Sequence, residues 1–166
     1  MADEIYLGNP LLKKANVAQE FTKDQILEFM ACKHDPVYFA KQHVKIVSLD
    51  EGLVNFNPYD FQETLIRRFH ENRFNICKMP RQTGKSTTSV SYLLHYAVFN
   101  DNVNIGILAN KAATARDLLG RLQTAYENLP KWMQQGIIAW NKGSLELENG
   151  SKILAASTSA SAVRGM

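Results

Sequence analysis

The chain has 166 residues, 45% of them apolar and 10% aromatic, which is enough to build one continuous core in a domain of ordinary size. Its net charge of +3, from 19 basic and 16 acidic residues, is compatible with a nucleic-acid partner but excludes a strongly basic arm. The isolated Cys32 and Cys77 exclude a disulfide framework and suggest no zinc site, while the acidic start and the lack of an apolar run of about 18 residues exclude an export signal and a membrane anchor.

Helical spacing of apolar residues begins after a polar stretch, residues 1–20, that we expect to be loosely structured. The spacing predicts a short helix over Phe21–His34, with Thr22 as its cap, and a second helix over Pro36–Val44. We expect these two helices to form a helical N-terminal segment, or preface, ahead of the rest of the fold. This preface would act either as a docking surface or as a lid.

After Asn57, helix-like and strand-like runs alternate. The predicted helices cover Tyr59–Glu71, Ser86–Phe99 and Lys111–Leu129. The predicted strands cover Phe74–Lys78, Val103–Ala109, Ile137–Trp140, Ser144–Glu148 and Lys152–Ala156, with a hairpin turn at Asn149 and Gly150. Because apolar strands that alternate with helices belong in a parallel sheet covered on both faces, we predict an α/β fold with a parallel sheet flanked by helices.

The junction between the strand Phe74–Lys78 and the next helix carries the sequence MPRQTGKS, Met79–Ser86. It matches the phosphate-binding pattern GxxxxGK[ST] except at Met79, where glycine is usual. In such a loop, backbone amides face the phosphates, Lys85 reaches the β and γ oxygens, Ser86 completes a magnesium shell, and Gly84 lets the backbone approach closely. A bare GK[ST] triplet also occurs at ordinary helix starts, so the prediction of a P-loop depends on the flanking strand and helix.

Two further side chains are candidates for the same site. Arg81, inside the loop, either neutralises charge on the γ-phosphate, as an arginine finger supplied by the same chain, or is a surface arginine paired with a carboxylate. Gln62 either offers its amide to the adenine edge as donor and acceptor, or is a solvated helix glutamine. Gln62 counts as a candidate because the loop follows it some twenty residues later.

A P-loop ATPase also needs a carboxylate at the end of a second strand to hold magnesium, followed by a glutamate that orients water. After the loop, no apolar strand ends in paired acids. The acids Asp50 and Glu51 precede the loop, so we interpret them as a solvated strand end. Asn110 with Lys111, and Asn141 with Lys142, lack the aspartate of a guanine-reading NKxD box, which favours ATP over GTP.

Taken together, these segments resemble the large terminase subunit of contractile-tailed phages of the T-even type, the ATPase and nuclease that drives DNA into proheads. The resemblance covers nearly the whole chain. It rests on PVYFA (36–40), the Gln62 segment, RQTGKS (81–86), GILANK (106–111), LPKWMQQGII (129–138), WNKGSLELENGS (140–151) and AVRG (162–165). That family tolerates a residue other than glycine at the position of Met79.

The resemblance implies that ATP and Mg²⁺ are the cofactors, with Arg81 and Lys85 as catalytic residues and Ser86 as the metal ligand. The implied cofactor-binding set is Gln62, Arg81, Gln82, Thr83, Gly84, Lys85, Ser86 and Thr87. The implied partners are double-stranded DNA, the portal protein, the small terminase subunit and a missing C-terminal ATPase and nuclease portion, in the host cytoplasm. The segment AVRG resembles the lead-in to the Walker B strand.

On this basis we divide the chain into a helical preface and lead-in, residues 1–57, and a P-loop ATPase subdomain, residues 58–166, that stops before Walker B. The ATPase domain would then be incomplete, through a split gene, a phage remnant or an engineered fragment, and hydrolysis by this piece alone is doubtful. Two alternatives to the packaging ATPase remain open: a fragment of a helicase-like P-loop motor, and a non-catalytic interaction module or decayed remnant.

Overall fold

The computed structural model describes residues 4–48 and 50–158. In this part the chain forms α-helices at α1 (Lys23–His34), α2 (Pro36–His43), α3 (Asp60–Glu71), α4 (Lys85–Phe99) and α5 (Ala112–Glu127), with a 3-10 turn at Lys131–Met133. The strands are β1 (Ile5–Tyr6), β2 (Asn9–Lys13), β3 (Lys45–Ser48), β4 (Gly52–Asn55), β5 (Asn104–Ala109), β6 (Ile137–Trp140), β7 (Ser144–Leu147) and β8 (Lys152–Ser157). The fold is therefore mixed α/β, and no described helix is long and apolar enough to cross a bilayer.

The main sheet has four strands in the order β5-β8-β7-β6. β5 and β8 run parallel, in register from Asn104 opposite Lys152 to Ala109 opposite Ser157, while β6, β7 and β8 pair antiparallel. Within the described sheet the predicted parallel pairing is therefore seen only between β5 and β8. The reason is that the connections after β6 and β7 are short, and short connections permit only antiparallel pairing.

Coverage of the sheet is also one-sided at β5. Ile105 and Ile107 are buried, whereas Leu108, which points to the other face, is 43% exposed. On the covered face α5 packs against β5 and β8, and α4 packs against α5. The expected cover on both faces is thus not seen at β5 among the described residues.

The strand predicted at Phe74–Lys78 is not formed. In the described structure this segment, which leads from α3 to the loop, is irregular and pairs with no other strand, and the Phe74 and Ile76 side chains are 83% and 100% exposed. A strand needs a neighbour for its backbone hydrogen bonds, and none lies beside this segment. The segment has the apolar residues of a strand, but the described part of the chain contains no neighbouring strand to pair with it.

The helices were predicted closely because their signals are local. Thr22 caps α1 as expected, since its hydroxyl accepts from Gln25 N at 3.2 Å and the Gln25 side chain accepts from Thr22 N. Asp35 caps α2 because its carboxylate accepts from Val37 N and Tyr38 N, and Pro36 lies in the first helical turn. The hairpin predicted at Asn149 and Gly150 is also confirmed, because β7 and β8 pair across it and Gly150 has φ +80°.

The N-terminal stretch is more ordered than expected. β1 and β2 form an antiparallel pair, and Leu12 is 1% exposed. The Gln134 amide accepts from Lys13 N and donates to Leu11 O, both at 3.0 Å. These contacts span more than 120 residues, so the expectation of a loose start, based on local composition, was wrong.

Helix α4 lies at the centre of the molecule and carries the predicted loop at its N-terminus. Leu94 and Ala97 in α4 have no exposed surface. α4 contacts α2 and α3 as well as α5, and one hydrophobic core runs from Phe39 in α2 to Ile153 in β8. The loop is therefore anchored to a helix that is packed in the core. The AVRG segment, residues 162–165, lies outside the described residues.

Candidate phosphate-binding loop

The predicted loop joins the exposed segment to α4 through an abrupt change of backbone direction. Gln82 and Gly84 have φ of +63° and +73°, in the left-handed region. Gly84 is also the N-cap of α4, and a Cβ there would lie 2.3 Å from Gln62 Nε2. Glycine is required at this position for two reasons, the backbone conformation and the close approach of a neighbouring amide.

Gln62 braces this loop from α3. Its Nε2 donates to Thr83 O at 3.1 Å, and its Oε1 accepts from Tyr59 N at 2.9 Å, so one amide connects the start of α3 to the loop. The side chain is buried, with 5% of the residue exposed, unlike a solvated helix glutamine. The structure thus brings Gln62 and the loop together through a positioning contact that the sequence did not reveal.

Lys85 folds back into the turn that precedes it. Its Nζ donates to Met79 O at 3.2 Å and also to Pro80 O, while Thr83 Oγ1 donates to Pro80 O at 3.0 Å. The ammonium therefore lies in the hollow of the loop, held by neutral carbonyl oxygens. An anion entering the hollow would offer stronger acceptors than these carbonyls.

The N-terminus of α4 places backbone N–H donors beside the Lys85 ammonium. The first intrahelical bond of α4 runs from Thr88 N to Gly84 O at 2.9 Å, so the N–H groups of Lys85, Ser86 and Thr87 precede it and have no acceptor within the helix. The first turn of α4 holds no acidic residue to satisfy them. A free helix N-terminus beside a lysine attracts negative charge.

The remaining predicted residues lie around this centre. Arg81, Gln82 and Ser86 are exposed, Ser86 in the first turn of α4 and the other two at the tip of the loop. Among the described residues, Arg81 forms no ion pair, so the alternative of a surface arginine paired with a carboxylate is not what the structure shows. Asp50 and Glu51 lie in the exposed turn between β3 and β4, as expected for a solvated strand end.

Thr87 faces a different space. It lines a cavity of about 620 Å³ between β3, α4 and α5, together with Val90 on α4 and with Gly120 and Thr124 on α5. A space of this size is in the range that holds small ligands. Thr87 therefore adjoins a second compartment beside the loop, a feature that the loop pattern alone does not indicate.

Thr88 is a residue that the sequence analysis missed. It is fully buried, and its Oγ1 donates to Gly84 O at 3.0 Å, which fixes the first turn of α4 against the glycine that ends the loop. The signal was available in the sequence as a hydroxyl residue four positions after Gly84. Thr88 supports the loop and is not exposed to a ligand.

The fold and the loop define a class: a mixed α/β protein in which a glycine-ended loop presents a lysine and a free helix N-terminus at the surface. The family model for the N-terminal region of the terminase large subunit, T4likevirus-type, matches residues 76–166. The match begins at the exposed Ile76 and includes the whole loop, α4, α5 and the main sheet. The chain therefore belongs to the T4-like family of phage terminase large subunits, and it contains the N-terminal region of that subunit.

Proposed function

We propose that this chain is the ATP-binding portion of a terminase large subunit that powers translocation of double-stranded DNA into the prohead by ATP hydrolysis. The observation that carries the proposal is the position of the Lys85 ammonium, inside a loop that ends at Gly84 and opens onto the N-terminus of α4. This arrangement supplies a mobile cation and several backbone donors to one small volume. A triphosphate is the ligand that such a site fits.

In the proposed complex, Lys85 leaves the carbonyl oxygens of Met79 and Pro80 and binds the β and γ phosphate oxygens. The amides of Gln82 to Thr87 surround the phosphates, and the exposed Ser86 hydroxyl is free to complete the shell of Mg²⁺. Bound magnesium would offset phosphate charge. The site is open to solvent at Ser86, so a hydrated metal can enter without rearrangement of the core.

Arg81 is proposed to bind the γ-phosphate and to stabilise the charge that develops as the terminal bond breaks. Its exposed position at the tip of the loop, without an ion pair in the described part of the chain, leaves the guanidinium available for this role. Gln62 is proposed to belong to the adenine-binding region. Gln62 Nε2 already donates one hydrogen to Thr83 O, and Oε1 already accepts from Tyr59 N. The second hydrogen of Nε2 and the second lone pair of Oε1 are therefore proposed to bind the adenine base.

The complete ATPase is proposed to contain the parallel P-loop sheet that the described residues do not show. Phe74 and Ile76 expose apolar side chains directly before the loop, and the uncovered face of β5 exposes Leu108. Contiguous exposed apolar surface marks interaction sites, and we propose that these side chains contribute to one. We propose that the remaining ATPase portion supplies a strand beside residues 74–78 and the acids that hold magnesium and orient water, with residues 1–57 as preface and 58–166 as the ATPase subdomain.

The partners are proposed from the family: double-stranded DNA, the portal protein, the small terminase subunit and the C-terminal ATPase and nuclease portion, acting in the host cytoplasm. A second candidate is a non-catalytic interaction module. It is favoured by the Lys85 ammonium, which the loop carbonyls already satisfy, and by the exposed apolar segment. This candidate predicts binding to a protein partner without binding to ATP.

Nucleotide-dependent thermal unfolding separates the two candidates. At 100 times Kd a ligand stabilises the folded state by about 2.7 kcal/mol, which for a chain of this size raises Tm by roughly 5 to 10 °C. We expect Mg·ATP to raise the Tm of the wild type and of Lys142→Ala, whose side chain is exposed and distant in sequence, but not of Lys85→Ala. No rise in the wild type would favour the non-catalytic module.

A further inference from the structure

Three side chains with metal-binding atoms meet between α1 and α2, away from the loop. Glu28 and Cys32 lie one helical turn apart on α1, and His43 is the last residue of α2. Their ligand atoms all lie within 4.8 Å of one another. Glu28 Oε1 is 2.7 Å from His43 Nε2 and 3.6 Å from Cys32 Sγ.

The surroundings of this cluster hold its members in position. Tyr38 donates its hydroxyl to the second oxygen of Glu28, Oε2, at 3.0 Å. The carbonyl of Cys32 accepts from His95 Nε2 on α4 at 2.9 Å. The Glu28 carboxylate therefore has an outer hydrogen bond of the kind that orients ligands in metal centres, and the backbone of Cys32 is joined to α4.

We propose that Glu28, Cys32 and His43 form a binding site for a divalent transition metal of the zinc type, which joins α1 to α2. Thiolate, imidazole and carboxylate are the ligands that zinc prefers, and three protein ligands leave a fourth position for water. Cys32 has no exposed surface, whereas the side chains of His43 and Glu28 are 14% and 30% exposed. The open position thus faces the partly exposed side of the cluster.

Two of the three separations are close to those of a tetrahedral site, and all three ligand atoms lie within 4.8 Å of one another. Metal–ligand bonds of about 2.0 to 2.3 Å in a tetrahedron separate the ligand atoms by roughly 3.3 to 3.6 Å. The Cys32 Sγ to Glu28 Oε1 distance of 3.6 Å already meets this separation. The His43 to Glu28 contact of 2.7 Å is a hydrogen bond and must open by a fraction of an ångström, which requires a small rotation of these two partly buried side chains.

Binding changes the protonation of the cluster in a balanced way. The Cys32 thiol releases its proton to solvent, and the hydrogen between His43 Nε2 and Glu28 is lost from that nitrogen or moves to Nδ1. Burial, with the nearby Glu28 carboxylate, raises the pKa of the Cys32 thiol, so the thiol keeps its proton until a cation arrives. A divalent ion with one thiolate, one carboxylate and one neutral imidazole leaves the site without net charge.

This site differs from the magnesium site proposed at Ser86. Magnesium prefers oxygen ligands and retains its water, whereas Cys32 supplies sulfur. A soft ligand therefore distinguishes the two sites experimentally. The proposal does not depend on ATP binding, so its failure would leave the proposed function unaffected.

Cobalt provides the test, because Co²⁺ bound to a thiolate in a tetrahedral site has an intense visible and near-ultraviolet spectrum. We expect the metal-free full chain to develop this spectrum with one equivalent of Co²⁺ in excess Mg²⁺, to lose it when Zn²⁺ is added, and to gain thermal stability with Zn²⁺. Cys32→Ser and His43→Gln should abolish the spectrum. The matched variants Cys77→Ser and His34→Gln, which change an exposed cysteine and an exposed histidine, should retain it.

Because Cys32 is buried, Cys32→Ser alone is a weak test, and His43→Gln at the partly exposed edge gives an independent one. Absence of a thiolate spectrum in the wild type would overturn the proposal. Loss of the spectrum in Cys77→Ser with retention in Cys32→Ser would also overturn it. A spectrum that His43→Gln leaves unchanged would exclude His43 as a ligand and contradict the three-residue site.

Discussion

The side-chain amide of Gln62 donates to the backbone carbonyl of Thr83 at 3.1 Å, and this bond joins α3 to the loop that precedes α4. The contact bridges 21 positions of sequence, and the same amide accepts from Tyr59 N. The shape of the loop therefore depends on a residue outside the loop pattern.

Gln62→Glu tests the hydrogen bond between Gln62 and the loop. A carboxylate retains the acceptor for Tyr59 N but cannot donate to Thr83 O, and it turns negative charge toward the phosphates. Losing a buried hydrogen-bond partner costs about 1 to 3 kcal/mol, so we expect the free energy of unfolding in urea to fall by about that amount and ATP affinity to decrease. Gln123→Glu is the control, because Gln123 also donates to a carbonyl, Asn141 O, at an exposed site. Equal losses in the two variants would contradict a special role for Gln62.

Gly84→Ala tests the conformation of the turn. A side chain at φ +73° is strained, and its Cβ would meet Gln62 Nε2 at 2.3 Å. We expect a loss of about 1 to 3 kcal/mol in the free energy of unfolding, measured in urea by circular dichroism. Gly143→Ala is the matched substitution, since nothing lies within 4 Å of a Cβ there. A loss in Gly143→Ala as large as that in Gly84→Ala would contradict the account.

The helices and the strands β5 to β8 could be predicted from the sequence because their signals are local: the periodicity of α4, the Thr22 cap and the turn at Gly150. The N-terminal pair β1 and β2 could not, because Gln134, far along the chain, satisfies its backbone. The strand at Phe74–Lys78 was predicted from composition, but a strand also requires a neighbour, and composition does not supply one.

The candidate site likewise has features that the sequence predicted and features that it did not. The pattern around Gly84 and Lys85 identified the loop, and Gln62 was a candidate for the same site, but its hydrogen bond to Thr83 O was not predicted. The functions assigned to these residues stay predictions. The cluster of Glu28, Cys32 and His43 could not be predicted from metal-binding patterns in the sequence, because the packing of two helices creates it. The sequence shows only one isolated cysteine between a glutamate and a histidine.

Acid should destabilise the protein through His95. Burial, helped by the nearby His70, lowers the pKa of the His95 imidazole from 6.5 to about 4. Between pH 6.5 and about 4, His95 is therefore protonated in the unfolded chain but neutral in the folded chain. The contribution of His95 to the free energy of unfolding is fully present above pH 6.5 and is lost as the pH decreases toward about 4, by about 3 kcal/mol in total.

Urea unfolding at a series of pH values measures this term. His95→Gln can still donate to the carbonyl of Cys32 but does not titrate, so we expect a shallower loss of stability between these pH values, whatever its stability at neutral pH. His34→Gln, at an exposed position of α1, should keep the wild-type slope. An unchanged slope in His95→Gln would assign the acid sensitivity to other groups.

Ile76→Lys tests whether the exposed segment is an interaction site. Because Ile76 is 100% exposed, the substitution should change the free energy of unfolding of the chain alone by less than about 0.5 kcal/mol. It should weaken association with a co-expressed C-terminal portion of a T4-like terminase large subunit. Leu7→Lys, at another exposed apolar residue, should have no effect on association. Association that tolerates Ile76→Lys as well as Leu7→Lys would contradict docking at this segment.

The central claim is that the turn ending at Gly84 surrounds the phosphates of ATP. At 18.7 kDa the chain suits amide nuclear magnetic resonance, which locates a ligand residue by residue. Titration with Mg·ATP should shift and saturate the amide signals of residues 82–87 in the wild type, while the same signals stay unmoved in Lys85→Ala. Signals of the loop that do not respond to ATP in the wild type, or that respond equally in Lys85→Ala, would contradict the claim.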